Sequence, residues 1–91
     1  MKHINSKKSD IIFETLAQIL KEERAKKNKS IRLLAYEYDI PKSLLSRLEN
    51  SKNEPKLISL WSICEALDIK LSDLIKELED KLPENFSLIE K

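Results

Sequence analysis

Residues 30–50 read SIRLLAYEYDIPKSLLSRLEN, and the fold turns on how this stretch divides. Ser30 suits a helix N-cap, because its side-chain oxygen can accept an otherwise unpaired amide of the first turn. Ile31, Leu34, Ala35 and Tyr38 then recur at helical spacing. Asp39 and Ile40-Pro41 stop that helix, since the residue before a proline is pushed out of the α region. Proline is well placed in a first turn, where its missing N–H is no loss, so another helix is expected from about Pro41 to Asn50. Its buried stripe is Leu44, Leu45 and Leu48, with Lys42, Ser43, Ser46 and Arg47 mostly on the other side. Asp39 stands at the corner, where the backbone often needs positive φ, which Asp tolerates better than most side chains. Ala35 is small enough to let a second helix approach, and Ile40 and Leu45 can plug the space between. These are the requirements of two short helices packed across a tight turn.

Working outward, Ser9 is a plausible N-cap with Asp10 in the first turn, where the helix dipole favours negative charge. Ile12, Phe13, Leu16, Ile19 and Leu20 carry a first helix to about Lys27, and Asn28 is placed to end it in a left-handed cap. After a polar loop from Ser51 to Pro55, a fourth helix is expected over roughly Lys56 to Leu67, with Leu57, Leu60, Trp61, Cys64 and Leu67 facing in. Ser72 is read as the cap of a fifth, whose apolar face is Leu71, Leu74, Ile75, Leu78 and Leu82, and Pro83 marks its end. The expected architecture is all-α, a compact five-helix domain over 9–82, with a flexible basic arm at 1–8 and a tail at 83–91.

Composition narrows the functional classes. Of 91 residues 41% are apolar and 36% charged, enough for one small folded domain. Glycine is absent, which argues against hairpins and phosphate-cradling loops, both of which lean on positive φ. The single cysteine, Cys64, excludes an internal disulfide and suits a reducing cytoplasm; it reads as a small buried apolar residue. His3 has no partner at ligand spacing, so neither a metal nor a cofactor is expected. No apolar run is long enough to span a membrane. Net charge is only +1, but residues 1–56 carry +5 and residues 57–91 carry −4. A basic half of this kind is compatible with a polyanion on one face.

The central stretch has the spacing of a helix-turn-helix: small residue, turn residue, apolar plug and a second helix with a polar outer face. From about Phe13 to Leu78 the chain resembles the lambda-repressor/Cro-type (XRE-like) helix-turn-helix DNA-binding family. The resemblance runs through Arg24, Ser30, Leu34-Ala35, residues 40–49 (IPKSLLSRLE), residues 50–55 (NSKNEP), then Leu57, Leu60, Ala66-Leu67 and Ile69. The chain departs from the family pattern at Asn28, Asp39 and Ser51, where glycine is common, and at Ile31, where many members carry a backbone-anchoring glutamine. The resemblance implies a five-helix lambda-repressor-like domain that binds double-stranded operator DNA, usually as a symmetric dimer.

Helix three is then the one that enters the major groove. Lys42, Ser43 and Arg47 match base-reading positions; Ser46 can bond bases or phosphate, and Leu44 can touch a thymine methyl. Backbone contacts fall to Ser30 and the amides opening helix two, to Arg32, and to Asn50, Lys52 and Lys56 around the following loop. Lys26, Lys27 and Lys29 are weaker candidates, each as easily a solubilising charge. Tyr36 and Tyr38 are read as covering helix two. The resemblance also implies an ion pair between Arg24 and Glu49 that orients the recognition helix. Leu74, Leu78, Phe86 and Ile89 are candidates for a dimer interface, although they equally suit closure of the monomer core; Trp61 suits core or interface.

The expected function is a transcriptional regulator, in the first instance a repressor, acting as a homodimer on an inverted-repeat operator. The alternative is an antitoxin-like module that binds a partner protein. No arrangement of carboxylates, Ser–His pair or phosphate loop points to an enzyme.

Overall fold

The computed structural model describes residues 6–51 and 54–89. Five α-helices follow one another: α1 Ser6–Lys26, α2 Ile31–Tyr38, α3 Lys42–Glu49, α4 Leu57–Ala66 and α5 Leu71–Lys81, with no extended sheet among the described residues. The long α1 runs past α3 and α5, α2 lies across α3, and α4 packs on α5. The core between them is built from Leu16, Ile19, Leu20, Leu34, Leu45, Leu48, Ile63, Leu67 and Leu74, among others. Ile40 and Leu45, expected between α2 and α3, are buried there.

The helix ends follow from local chemistry, and no glycine serves any of them. Ser30 Oγ accepts the Leu33 amide at 3.0 Å, capping α2. Among the described residues four non-glycine positions take left-handed backbone: Asn28, Asp39, Ser51 and Asp68, with φ of 55°, 53°, 58° and 58°. At two of these corners the amide after the turn reaches back to close the helix: Ile40 N–H donates to Ala35 O at 3.0 Å, and Ile69 N–H to Cys64 O at 2.9 Å. This satisfies a terminal carbonyl and turns an apolar side chain inward. Left-handed backbone costs roughly 1–2 kcal/mol for an ordinary residue and less for Asn or Asp. Ser51 is thus the most strained of the four, and Ser51→Gly is expected to raise stability by about 0.5–1 kcal/mol after the entropy of glycine is discounted. Urea unfolding reads this as a higher midpoint at constant slope, and an unchanged midpoint would show that the corner is relaxed as it stands.

Several elements differ from the sequence reading. The helix α1 begins at Ser6 rather than beyond Ser9, so Lys7 and Lys8 are helical where a flexible arm over 1–8 was expected; no proline or glycine there stops the helix from extending. Residues 1–5, including His3, lie outside the described residues. Lys70, not Ser72, is the N-cap residue of α5, so Ser72 lies within its first turn. The largest difference is the rotation of α4. Its buried side is Leu60, Ile63, Cys64, Ala66 and Leu67, while Leu57 and Trp61, expected inside, are 61% and 49% exposed. With apolar side chains at six of its first eight positions, this helix has no periodicity that marks one face.

On α5 the structure corrects the expected self-association surface. Leu74 and Leu78 are 1% and 9% exposed, so they close the monomer against α1 and α4 and cannot meet a partner. Phe86 is half-buried and Ile89 exposed in the irregular segment after α5. Cys64 is fully buried, and burial pushes its thiol from 9.0 up to about 11, which leaves it inert in the folded chain.

Candidate nucleic-acid interface

Two turns of helix present the candidate site, and three of α3's residues anchor it. Leu45, Leu48 and Glu49 point into the domain, which leaves Lys42, Ser43, Ser46 and Arg47 on the opposite arc. At about 100° per residue, Lys42 and Arg47 stand about 140° apart around the axis and bracket the two serines. Lys42, Ser43 and Arg47 are exposed, and Ser46 is half-exposed. Leu44 is half-buried and packs on the core, so little of it remains to meet a base. Ile31, at the position where glutamine was noted as usual, also packs against the core.

The orientation of α3 is set from behind by one buried charge. Glu49 is 5% exposed. Arg24 from α1 meets it with two parallel bonds, Nε to Oε2 at 2.7 Å and Nη2 to Oε1 at 2.8 Å. The remaining nitrogen, Nη1, donates to the carbonyl of Lys29 at 2.8 Å. The bond to Glu49 raises the Arg24 pKa above its already high ordinary value. Arg24 therefore ties together α1, the loop that precedes the Ser30 cap, and the last residue of α3. A guanidinium fork suits this because it offers several donors in one rigid plane.

The basic side chains near the helix-turn-helix separate into two groups. Lys26, Lys27 and Lys29 are neutralised locally, by Glu23 at 3.2 Å, Asp68 at 3.3 Å and Glu37 at 3.1 Å. Lys29 also lies over the Tyr38 ring, 5.4 Å from its centroid. These three, weaker candidates from sequence, are committed to the fold. By contrast Arg32, Lys42, Arg47 and Lys56 are exposed and have no acidic partner among the described residues. They lie on α2, on α3 and just before α4. Asn50 is exposed at the end of α3, and Lys52 lies outside the described residues. The Ser30 hydroxyl is exposed; it accepts the Leu33 amide with one lone pair and keeps its O–H to donate. The Lys26–Glu23 pair, three residues apart on one helix, is within reach of sequence reasoning, whereas the pairing of Lys27 spans 41 residues and is not.

Comparison with known proteins agrees with this geometry. The family model described as Helix-turn-helix (HTH_3) matches residues 20–74. Among solved structures, the clp gene regulator ClgR from C. glutamicum superposes with a TM-score of 0.70 at 29% identity, covering 79% of this chain and 92% of that one. A point variant of the restriction-modification controller protein C.Esp1396I gives a TM-score of 0.70 at 17% identity, covering 82% and 95%. An HTH_3 family transcriptional regulator from Vibrio cholerae gives 0.68 at 24% identity, over 87% of this chain and 45% of the other. The last two likenesses bear on the fold alone. No curated protein matches the sequence.

Proposed function

The chain belongs to the XRE-type helix-turn-helix family, and on that premise we propose that it is a DNA-binding transcriptional regulator that represses by occupying an inverted-repeat operator as a homodimer. The observation that carries the reading is the set of unpartnered cations on one run of elements: Arg32, Lys42, Arg47 and Lys56. Lys26, Lys27 and Lys29 nearby each have a carboxylate partner, and these four do not. Grouped on α2, α3 and the start of α4, they are available to phosphates and base edges.

In this reading α3 enters the major groove. Arg47 pairs with O6 and N7 of a guanine, Lys42 reads a neighbouring acceptor, and Ser43 and Ser46 bond bases or phosphate. The Ser30 hydroxyl, the amides opening α2 and Arg32 clamp one phosphate run. Asn50 and Lys56, with Lys52, clamp the other. The five-helix domain from α1 to α5 does the binding. A two-fold dimer sets its two α3 helices about 34 Å apart, one turn of DNA, which is why the operator is an inverted repeat. The likeness to ClgR, named as a regulator of the clp gene, supports a regulatory role.

Selection of bound duplexes from a random pool, followed by titration across a salt series, tests this. A recovered inverted repeat is expected, with log affinity falling steeply against log salt, by about 0.9 for each phosphate neutralised. Weak binding that ignores both sequence and Arg47→Ala would transfer the reading to the antitoxin-like module, whose partner is a protein.

A further inference from the structure

The helix α4 is apolar on two sides, and the monomer covers only one. Flanking the buried arc and running round to its far side stand Leu57, Trp61 and Ile58, 61%, 49% and 73% exposed, with Ile75 of α5 beside them at 36%. Trp61 borders one hollow with Ile75 and another with Ile58, so these apolar side chains lie side by side on the surface, and exposed apolar patches of this kind are often interaction sites.

We propose that this face of α4, with Ile75, is where a second copy of this chain docks about a two-fold axis, with Trp61 at the centre. Three features point to a second copy as the occupant. The first is relief: Trp61 lines two neighbouring hollows, a groove of about 660 Å³ shared with Ile69, Leu71 and Ile75, and a smaller one of about 340 Å³ shared with Ile58 and Ser62. A protrusion set beside hollows is what a self-pairing surface needs, because each copy must supply both knob and hole. Tryptophan is also the residue most enriched among those that dominate binding energy.

The second feature is charge. Glu65 and Lys70 line the same groove as Trp61 and Ile75, and neither has an ion-pair partner among the described residues. A two-fold axis brings residue i onto residue j and j onto i, so one acid and one base on the rim pair twice across the interface. The third is position. Ile58 and Ser62 also border a hollow with Tyr38, Pro41 and Leu44, at the start of α3. The patch therefore adjoins the recognition helix without using Lys42 or Arg47, and two copies joined there keep both reading faces free. The assignment rests on the homodimer reading for the identity of the occupant.

Sedimentation equilibrium of the full chain without DNA, paired with titration of half-site and inverted-repeat duplexes, tests it. Ile58→Glu is expected to raise the dimer dissociation constant about 30-fold or more, with the helical circular dichroism and the half-site affinity unchanged. Trp61→Ala is the second variant, expected to act in the same direction without a new charge. Glu65→Lys and Lys70→Glu should each weaken the dimer, and the two together should restore it, since the exchange regenerates the same cross pairs. If dimerisation ignores Ile58→Glu and Trp61→Ala, another face makes the dimer; this assignment falls and the homodimer reading stands. If the unaltered chain stays monomeric at high concentration and on the inverted repeat, both fall. Unaltered self-association with only a partner protein sensitive to these variants would also overturn it.

Discussion

Arg24→Ala is expected to cost about 3 kcal/mol of folding stability, a shift in thermal midpoint on the order of 12–20 °C for a domain of this size. Glu49 is 5% exposed, and its two oxygens are held by Arg24 at 2.7 and 2.8 Å. Removing the guanidinium leaves a buried carboxylate without its counter-charge and frees the Lys29 carbonyl as well. Breaking a fully buried pair costs about 3–5 kcal/mol; the Arg24 side chain is 22% exposed, so water reaches the gap and the lower figure applies. The total for a domain of this length is roughly 5–14 kcal/mol, so the loss is a large share. Glu49→Gln should cost less, because the amide oxygen still accepts from the fork. Replacing both partners by apolar residues of similar volume, Arg24→Met with Glu49→Leu, should recover much of the loss, since no charge is then stranded. Differential scanning calorimetry of the set decides it: a midpoint drop of only a few degrees for Arg24→Ala would show that the pair contributes no more than a surface contact.

Arg47→Ala is expected to weaken binding to the selected half-site by about 1–3 kcal/mol, roughly 5- to 150-fold, while barely changing affinity for scrambled duplex. The separation of the two numbers is the point. An arginine bonded to guanine discriminates among bases, whereas one bonded to phosphate lowers both affinities together and reduces the salt slope by about 1. Arg47 is exposed on the arc opposite Leu45 and Leu48 and has no acidic partner among the described residues, so its removal leaves the core intact and the protein's stability close to unchanged. On a full inverted repeat each dimer loses two such contacts, and the cost in free energy should double. Lys56→Ala supplies the contrast, with a uniform loss across sequences. Fluorescence anisotropy on matched and scrambled duplexes reads all of these; a parallel fall of both affinities for Arg47→Ala would move that residue from bases to phosphate.

The corner of the helix-turn-helix was legible because everything that makes it is local. Ser30 as a cap, Asp39 in left-handed backbone, Ile40 folded inward and Pro41 ahead of α3 each depend on residues within a turn or two. The positions of five helices follow from the same short-range chemistry. The start of α1 lies four residues ahead of the expected Asp10, because Ser9 has the chemistry of a cap but residues 6–8 carry nothing that ends the helix.

What only the tertiary structure decided is which side of each element is covered and which charges are spent. The rotation of α4 is set by α5 and the rest of the core, and a helix with apolar residues on every side gives periodicity nothing to phase. Leu74 and Leu78 went to the monomer core for the same reason: an apolar stripe records that a face will be buried and not what buries it. The pairing of Lys27 with Asp68, or of Arg24 with Glu49, joins residues 41 and 25 positions apart. Sequence alone determined a five-helix domain with a helix-turn-helix near its middle, because backbone conformation answers to neighbours along the chain; the packed fold decided its free cations and its uncovered face, because those answer to neighbours in space.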